Sequence, residues 1–172
     1  LQDAYQEESK SYNFYPMFEN ITSFIKRSDI VVGTMESNFT SNEYSGYGKR
    51  NSPKTFADAV KKSGVNLVSI STNHSLDYGI KGLRETKQYL QEAGFVTVGD
   101  RLEEQTVTIK TIKNTKIAFL SYTYGVENQK SKSKQELESL NIFNKEIAKQ
   151  ELAYAKENSD YNIVIMHWGD PY

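Results

Sequence analysis

The segment VSISTNHSLDYG, Val68 to Gly79, joins the pattern of a buried strand to an abrupt polar end. Its apolar run stops at Asn73 and His74, and the whole chain of 172 residues contains only two histidines. The second histidine, His167, lies in NIVIMHWGD and also follows directly on an apolar run. Both imidazoles therefore occupy the same kind of position, at the end of a predicted strand.

Helices and strands alternate on both sides of this segment. Apolar spacing and cap residues predict helices over approximately residues 18–25, 53–63, 80–93 and 144–157, with Ser52 as the N-cap of the second. Apolar runs predict strands at DIVVGTM, VNLVSIS, FVTVG and YNIVIMHW, and TVTIKTI with KIAFLSY predicts a hairpin. Helices that alternate with apolar strands indicate an α/β fold whose central strands are covered on both faces.

Composition restricts the class of protein. With 37% hydrophobic and 25% charged residues, the chain is an ordinary globular sequence, and one domain over residues 1–172 is expected. A formal net charge of -1 and no evident basic face argue against nucleic acid as a partner. Because the chain has no cysteine, any metal would be held by His, Asn and carboxylates. The first residue is not Met and the last follows a predicted strand closely, so we expect a domain truncated at both ends.

Three predicted strands are followed by side chains of the metal-ligand kind. Glu36 follows DIVVGTM, Asn73 and His74 follow VNLVSIS, and His167 ends the last strand. Ligands bind outside the carboxyl ends of parallel strands, so we expect these four residues to meet at one edge of one sheet. A carboxylate, a carboxamide oxygen and an imidazole can together hold a divalent ion, which lowers the pKa of bound water.

Each of these residues also has a purely structural interpretation. A histidine or glutamate at a strand end is often only hydrogen-bonded or solvated, and an Asn-His pair can simply begin a turn. Trp168 is more often a packing residue against the sheet edge than a surface on which a substrate stacks. The shared site is favoured because all three strands end in side chains of the metal-ligand kind.

The ordered series MESNFT, NHSLDYG and HWG, with SGYGKRNSPKTFADAVKKSG, KIAFLSYTYG and MHWGDPY, resembles the CapA family of poly-gamma-glutamate capsule biosynthesis proteins. The resemblance spans nearly the whole chain. That family belongs to the metallophosphatase-like, calcineurin-type superfamily. The resemblance therefore implies layered sheets flanked by helices, an αββα sandwich, of which this chain holds an incomplete portion.

The resemblance also implies roles for single residues. Glu36 matches an acidic residue that bridges two metals, and Asn73 and His167 match metal ligands. His74 matches a catalytic histidine that contacts the substrate and acts as a general acid. Asp77 belongs to the same catalytic signature, where it either orients His74 or fixes the loop.

Part of the family's ligand set is missing from these 172 residues. A Gly-Asp motif with a nearby histidine normally precedes Glu36, and a histidine pair normally follows the HWG strand. We therefore expect two divalent ions in the full-length protein, with Mn, Zn, Fe and Mg not distinguished. For this stretch alone we expect weak or absent metal binding and no activity.

The function implied is capsule biosynthesis or anchoring by a metal-dependent hydrolase or transferase. Its substrate would be poly-gamma-glutamate or a related anionic polymer, and its partners membrane-bound capsule synthesis proteins. Lys49 and Arg50 are predicted to bind polymer carboxylates, with Trp168 as a further contact, although most such Lys-Arg pairs only face water.

Two alternatives use the same residues. One is a metal-dependent phosphoesterase, and the other is a non-catalytic binding or scaffold domain of a capsule complex.

The location implied by the resemblance is the outer face of the cell membrane, with an anchoring segment before Leu1.

Overall fold

Two three-stranded β-sheets pack between layers of helices, and a separate two-stranded sheet lies near the start of the chain. The structure, a computed structural model, describes residues 2–169; Leu1 and residues 170–172, the end of the MHWGDPY motif, lie outside it. The α-helices are α1 (Glu19–Ile25), α2 (Lys54–Ser63), α3 (Gly79–Glu92), α4 (Lys134–Glu138) and α5 (Lys145–Asn158). The strands are β1 (Tyr5–Gln6), β2 (Ser11–Tyr12), β3 (Val32–Thr34), β4 (Leu67–Ser69), β5 (Val96–Val98), β6 (Thr108–Ile112), β7 (Thr115–Thr123) and β8 (Tyr161–His167). Short 3-10 turns cover Gln2–Ala4, Tyr15–Met17 and Gln129–Ser131.

The first sheet is parallel, with the strand order β3-β4-β5. Thr34, Ser69 and Val98 lie side by side at the carboxyl ends of its strands. Parallel neighbours need a crossover, which α2 supplies between β3 and β4 and α3 between β4 and β5. The loops that follow β3 and β4 therefore begin at the same edge.

The second sheet has the order β6-β7-β8. Strands β6 and β7 form the predicted hairpin, in which Lys113 and Asn114 take positive φ angles of 49° and 67° at the turn. Strand β8 returns through α5 to lie parallel to β7, with His167 opposite Thr123. The carboxyl ends of β7 and β8 therefore meet at one edge.

The two sheets pack face to face. Leu67 and Val98 of the first sheet contact Phe119 of the second in one buried cluster. Close by, the hydroxyl oxygens of Ser69 and Ser121 lie 2.6 Å apart and are fully buried. This packing brings the carboxyl end of β4 next to the carboxyl end of β7.

Gly99 permits this close approach. Its φ of +105° is unfavourable for a residue with a side chain, and an added Cβ would lie 2.5 Å from Cβ of Ser71 and 3.2 Å from Cβ of Ser121. Any larger residue would therefore push the loops at the strand ends apart.

Helices cover the outer faces of both sheets. On the first sheet, Val68 points away from Phe119 and packs with Ala57 of α2 and Leu83 of α3 in the largest core cluster. On the second sheet, Ala155 of α5 packs against β7. The order is helices, sheet, sheet, helix, so the predicted αββα arrangement is confirmed.

The structure corrects two details of the sequence prediction. The strands that end near Glu36 and Asn73 lie in the first sheet, whereas the strand that ends at His167 lies in the second. A single shared sheet was therefore the wrong expectation. Ser52 was expected to begin α2, but Pro53 occupies the N-cap and the Ser52 hydroxyl contacts Ser37 Oγ at 2.6 Å instead.

Within residues 2–169, no helix has the length and apolar character needed to cross a bilayer.

Candidate functional site

Asn73 and His167 meet although they come from different sheets. Asn73 follows β4 and His167 is the last residue of β8. Asn73 Oδ1 lies 2.9 Å from His167 Nε2, and both side chains are half-buried. The contact exists because β4 packs against β7 and His167 pairs beside the end of β7 at Thr123. Two residues separated by 94 positions thus face each other between the layers.

Glu127 completes this cluster from the loop after β7. Its carboxylate Oε1 accepts a hydrogen bond of 2.8 Å from Asn73 Nδ2. Its backbone N–H donates to the Asn73 carbonyl, also at 2.8 Å. Sequence reasoning missed Glu127 because it lies four residues beyond the end of β7. The available signal was a carboxylate in a loop that follows a strand, as at Glu36.

His74 faces a different set of partners from its neighbour Asn73. It is 8% exposed, and its Nδ1 lies 2.9 Å from Asp77 Oδ2. The same carboxylate oxygen accepts a hydrogen bond of 2.8 Å from the Arg50 backbone N–H. Asp77 therefore makes both contacts considered from the sequence, one to the imidazole and one that fixes a loop.

Glu36 pairs with the guanidinium of Arg50. Both lie beside a cavity of about 360 Å³, whose wall also includes the hydroxyl residues Ser37 and Ser52. Within residues 2–169, no hydrogen bond or ion pair joins the Glu36 side chain to Asn73, His74 or His167. Glu36 is linked to His74 only indirectly, through Arg50 and Asp77.

The two other predicted substrate contacts lie at the surface. Lys49 Nζ lies 5.6 Å from the ring centroid of Tyr78. Burial, and then the charge of Asp77, raise the pKa of the Tyr78 hydroxyl. Trp168 packs edge-on against Phe143, with ring centroids 5.5 Å apart, and stays 65% exposed. Trp168 therefore both packs and presents a large aromatic surface to solvent.

The donor atoms of Asn73 and His167 suit a divalent ion. Nitrogen and oxygen ligands lie about 2.0–2.2 Å from such ions, so neighbouring ligands of one ion are about 3 Å apart. Asn73 Oδ1 and His167 Nε2 are 2.9 Å apart and share a hydrogen bond, and this separation is also compatible with two ligands of one ion. Among residues 2–169, no three or more His, Cys, Asp or Glu side chains are grouped to hold a metal. Only Asn73 and His167 are therefore shown to be spaced for a shared ion. The carboxylate of Glu36 is paired with Arg50 instead.

Comparisons with known proteins agree with this architecture. A NAD nucleotidase of Haemophilus influenzae is similar in fold, with a TM-score of 0.52 at 14% identity over 91% of this chain and 28% of that one. A capsule biosynthesis protein CapA of Bacillus anthracis is 24% identical, over 91% of this chain and 41% of its own length. A PGA biosynthesis protein CapA of Bacillus subtilis is also 24% identical, over 91% of this chain and 43% of its own length.

The chain thus spans about two fifths of these curated relatives. The family model described as "Bacterial capsule synthesis protein PGA_cap" matches residues 1–172. The resemblance to CapA proteins is confirmed, and the chain belongs to the PGA_cap family of bacterial capsule synthesis proteins.

Proposed function

We propose that the full-length protein is a metal-dependent hydrolase or transferase of capsule synthesis, acting on poly-gamma-glutamate or a related amide-linked anionic polymer. The observation that carries the proposal is the contact of Asn73 Oδ1 with His167 Nε2 between the two sheets. Family membership supports the capsule context. The proposal includes two divalent ions, membrane-bound capsule synthesis proteins as partners, and action at the outer face of the cell membrane.

The residues divide into those that hold an ion and those that handle the substrate. Asn73 and His167 would hold an ion, and Glu36 would join them on leaving Arg50. A bound divalent ion supplies a low-pKa water and stabilises negative charge that develops on a reacting oxygen. His74 would contact the substrate and move a proton at Nε2, a role supported by the contact that holds its Nδ1 against Asp77.

Lys49 is the candidate contact for an anionic substrate. Lys49 is exposed near the Arg50–Glu36 pair, and an ammonium group there would attract polymer carboxylates. The Arg50 guanidinium is paired with Glu36, so its removal would also disturb a proposed metal ligand. Lys49 is therefore the better residue for testing polymer contact.

The experiment compares two substrates with the purified full-length protein. With added Mn²⁺, we expect change in the length or end groups of poly-gamma-glutamate, lost with EDTA, and little hydrolysis of a nitrophenyl phosphodiester. Lys49→Gln should weaken polymer binding, and more so at low salt, whereas Lys145→Gln on the exposed side of α5 should not. Phosphodiester hydrolysis without action on the polymer would establish the phosphoesterase alternative, and metal-independent polymer binding without turnover the scaffold alternative.

A further inference from the structure

The Asn73 side chain can present either end of its carboxamide to His167. Only the oxygen can bind a cation, because the amide nitrogen has no available lone pair. The two orientations have nearly the same shape, so packing alone does not select between them. A neighbouring hydrogen-bond partner must make the choice.

Glu127 makes this choice at the nitrogen end of the amide, opposite the end that contacts His167. A carboxylate only accepts hydrogen bonds, so it pairs with Asn73 Nδ2, at 2.8 Å, and not with Oδ1. The bond is charge-assisted and stronger than one between neutral groups. With Nδ2 engaged, Oδ1 is turned toward His167 Nε2, 2.9 Å away.

The loop holds Glu127 in place through contacts that do not involve its side chain. Its N–H donates to the Asn73 carbonyl, and the preceding Val126 is buried in the largest core cluster. Thr123 Oγ1 donates to the Gly125 carbonyl at 2.8 Å, which fixes the start of the loop. A change of the Glu127 side chain should therefore leave the loop folded.

We propose that Glu127 is a positioning residue that fixes the Asn73 carboxamide with its oxygen toward His167, and so prepares the pair for a divalent cation. The cation part of this inference rests on the proposed function. The orientation part concerns the metal-free chain as well. Residues behind metal ligands typically change metal affinity by about 10- to 100-fold when they are removed.

The test uses three variants of the full-length protein, with Mn²⁺ affinity measured by calorimetry. Glu127→Ala should lower the affinity by about 10- to 100-fold. Glu127→Gln keeps an acceptor oxygen without the charge and should restore most of the affinity. Glu138→Ala, at an exposed glutamate of α4, is the matched control and should bind Mn²⁺ like the wild type. Melting temperature and circular dichroism confirm that each variant is folded.

A second readout does not depend on metal. The NMR signals of the Asn73 side-chain amide, assigned from their loss in Asn73→Ala, should show a hydrogen-bonded proton in the wild type and Glu127→Gln. In Glu127→Ala the bonded signal should be lost.

The outcomes separate the two proposals. Unchanged Mn²⁺ affinity and amide signals in Glu127→Ala would overturn the positioning role. Equal loss in the Gln and Ala variants would also overturn it, since Glu127 would then act through its charge or as a ligand. A wild type that binds no Mn²⁺ would contradict the proposed function, and the amide signals would still decide the orientation.

Discussion

At the scale of single residues, the site depends on two neighbours that face different ways. Asn73 points to His167 and Glu127, whereas His74 points to Asp77. One turn after β4 thus supplies both a candidate metal ligand and a candidate proton donor. The separation predicts that substitutions at the two positions have different consequences.

In the full-length protein, His167→Ala should abolish metal loading, because it removes a proposed ligand. His74→Ala should leave the metal in place and lower turnover, because His74 is proposed to handle substrate and proton. Elemental analysis of each purified variant, paired with the polymer assay, measures the two effects. Equal metal loss in both variants would show that the roles are assigned wrongly.

Asp77 should contribute to stability as well as to activity. Asp77→Ala leaves the Arg50 N–H and the His74 Nδ1 without their acceptor, and each unpaired buried group costs about 1–3 kcal/mol. We expect a fall in the free energy of unfolding by about 2 kcal/mol or more in urea titrations. Asp29→Ala, which breaks an exposed pair with Lys113, should cost less than about 1 kcal/mol. Equal costs for the two variants would contradict the role of Asp77.

Part of this candidate site could be predicted from the sequence, and part could not. Asn73 and His167 could be found because each ends an apolar run, and a strand end is visible in the sequence. Glu127 and the link from Arg50 to Asp77 could not, because they depend on how loops fold back after the strands. Helices and strands show a regular spacing of apolar residues in the sequence, whereas loops show none.

At the scale of elements, a buried polar network attaches α5 to the second sheet. Glu151 of α5 accepts hydrogen bonds from Arg101, Thr106 and Tyr122. Burial, and then the hydrogen bond to Glu151, raise the pKa of the Tyr122 hydroxyl well above its usual range. The tyrosine therefore stays protonated and acts as a donor at neutral pH.

Glu151→Ala should destabilise the fold strongly. It removes the acceptor of Thr106 and Tyr122 and the ion-pair partner of Arg101, which keeps its bond to Asn141 Oδ1. Glu151 is 8% exposed, and breaking a buried charge pair costs about 3–5 kcal/mol. Guanidinium denaturation followed by circular dichroism measures the loss. Glu157→Ala, an exposed change on the same helix, is the control and should have little effect. A Glu151→Ala protein as stable as this control would contradict the network's role.

Helices were easier to predict than their capping details. The expected helix at 80–93 is Gly79–Glu92, and the one at 144–157 is Lys145–Asn158, because apolar spacing and stop residues mark such elements. Ser52 is not the cap of α2, and its hydroxyl accepts a hydrogen bond from Ser37 instead. Caps depend on tertiary contacts as well as on local sequence.

At the scale of the whole molecule, the site exists because two sheets approach closely at their carboxyl ends. A sequence pattern shows which segments are strands but not which strands are neighbours. The prediction of one sheet failed for this reason, and the meeting of Asn73 with His167 arises from packing between sheets. The resemblance to CapA proteins implied two packed sheets, which the periodicity of apolar residues alone does not predict.

Gly99→Ala tests the close approach of the sheets. The new Cβ would collide with Ser71 at a strained φ, and we expect a loss of about 2–4 kcal/mol in the free energy of unfolding. Gly46→Ala, where an added Cβ meets no atom within 4 Å, should cost less than about 0.5 kcal/mol. In the folded fraction of Gly99→Ala, Mn²⁺ affinity should also fall, because the loop after β4 must move. Equal stability of the two variants would contradict the tight packing at Gly99.

We propose that Asn73 and His167 together hold a divalent ion between the two sheets. The most direct measurement is anomalous diffraction from crystals of the full-length protein grown with Mn²⁺. We predict an anomalous peak about 2.0–2.3 Å from both Asn73 Oδ1 and His167 Nε2. The absence of a peak beside this pair at saturating Mn²⁺, whether or not a well-occupied peak lies elsewhere, would contradict this metal site.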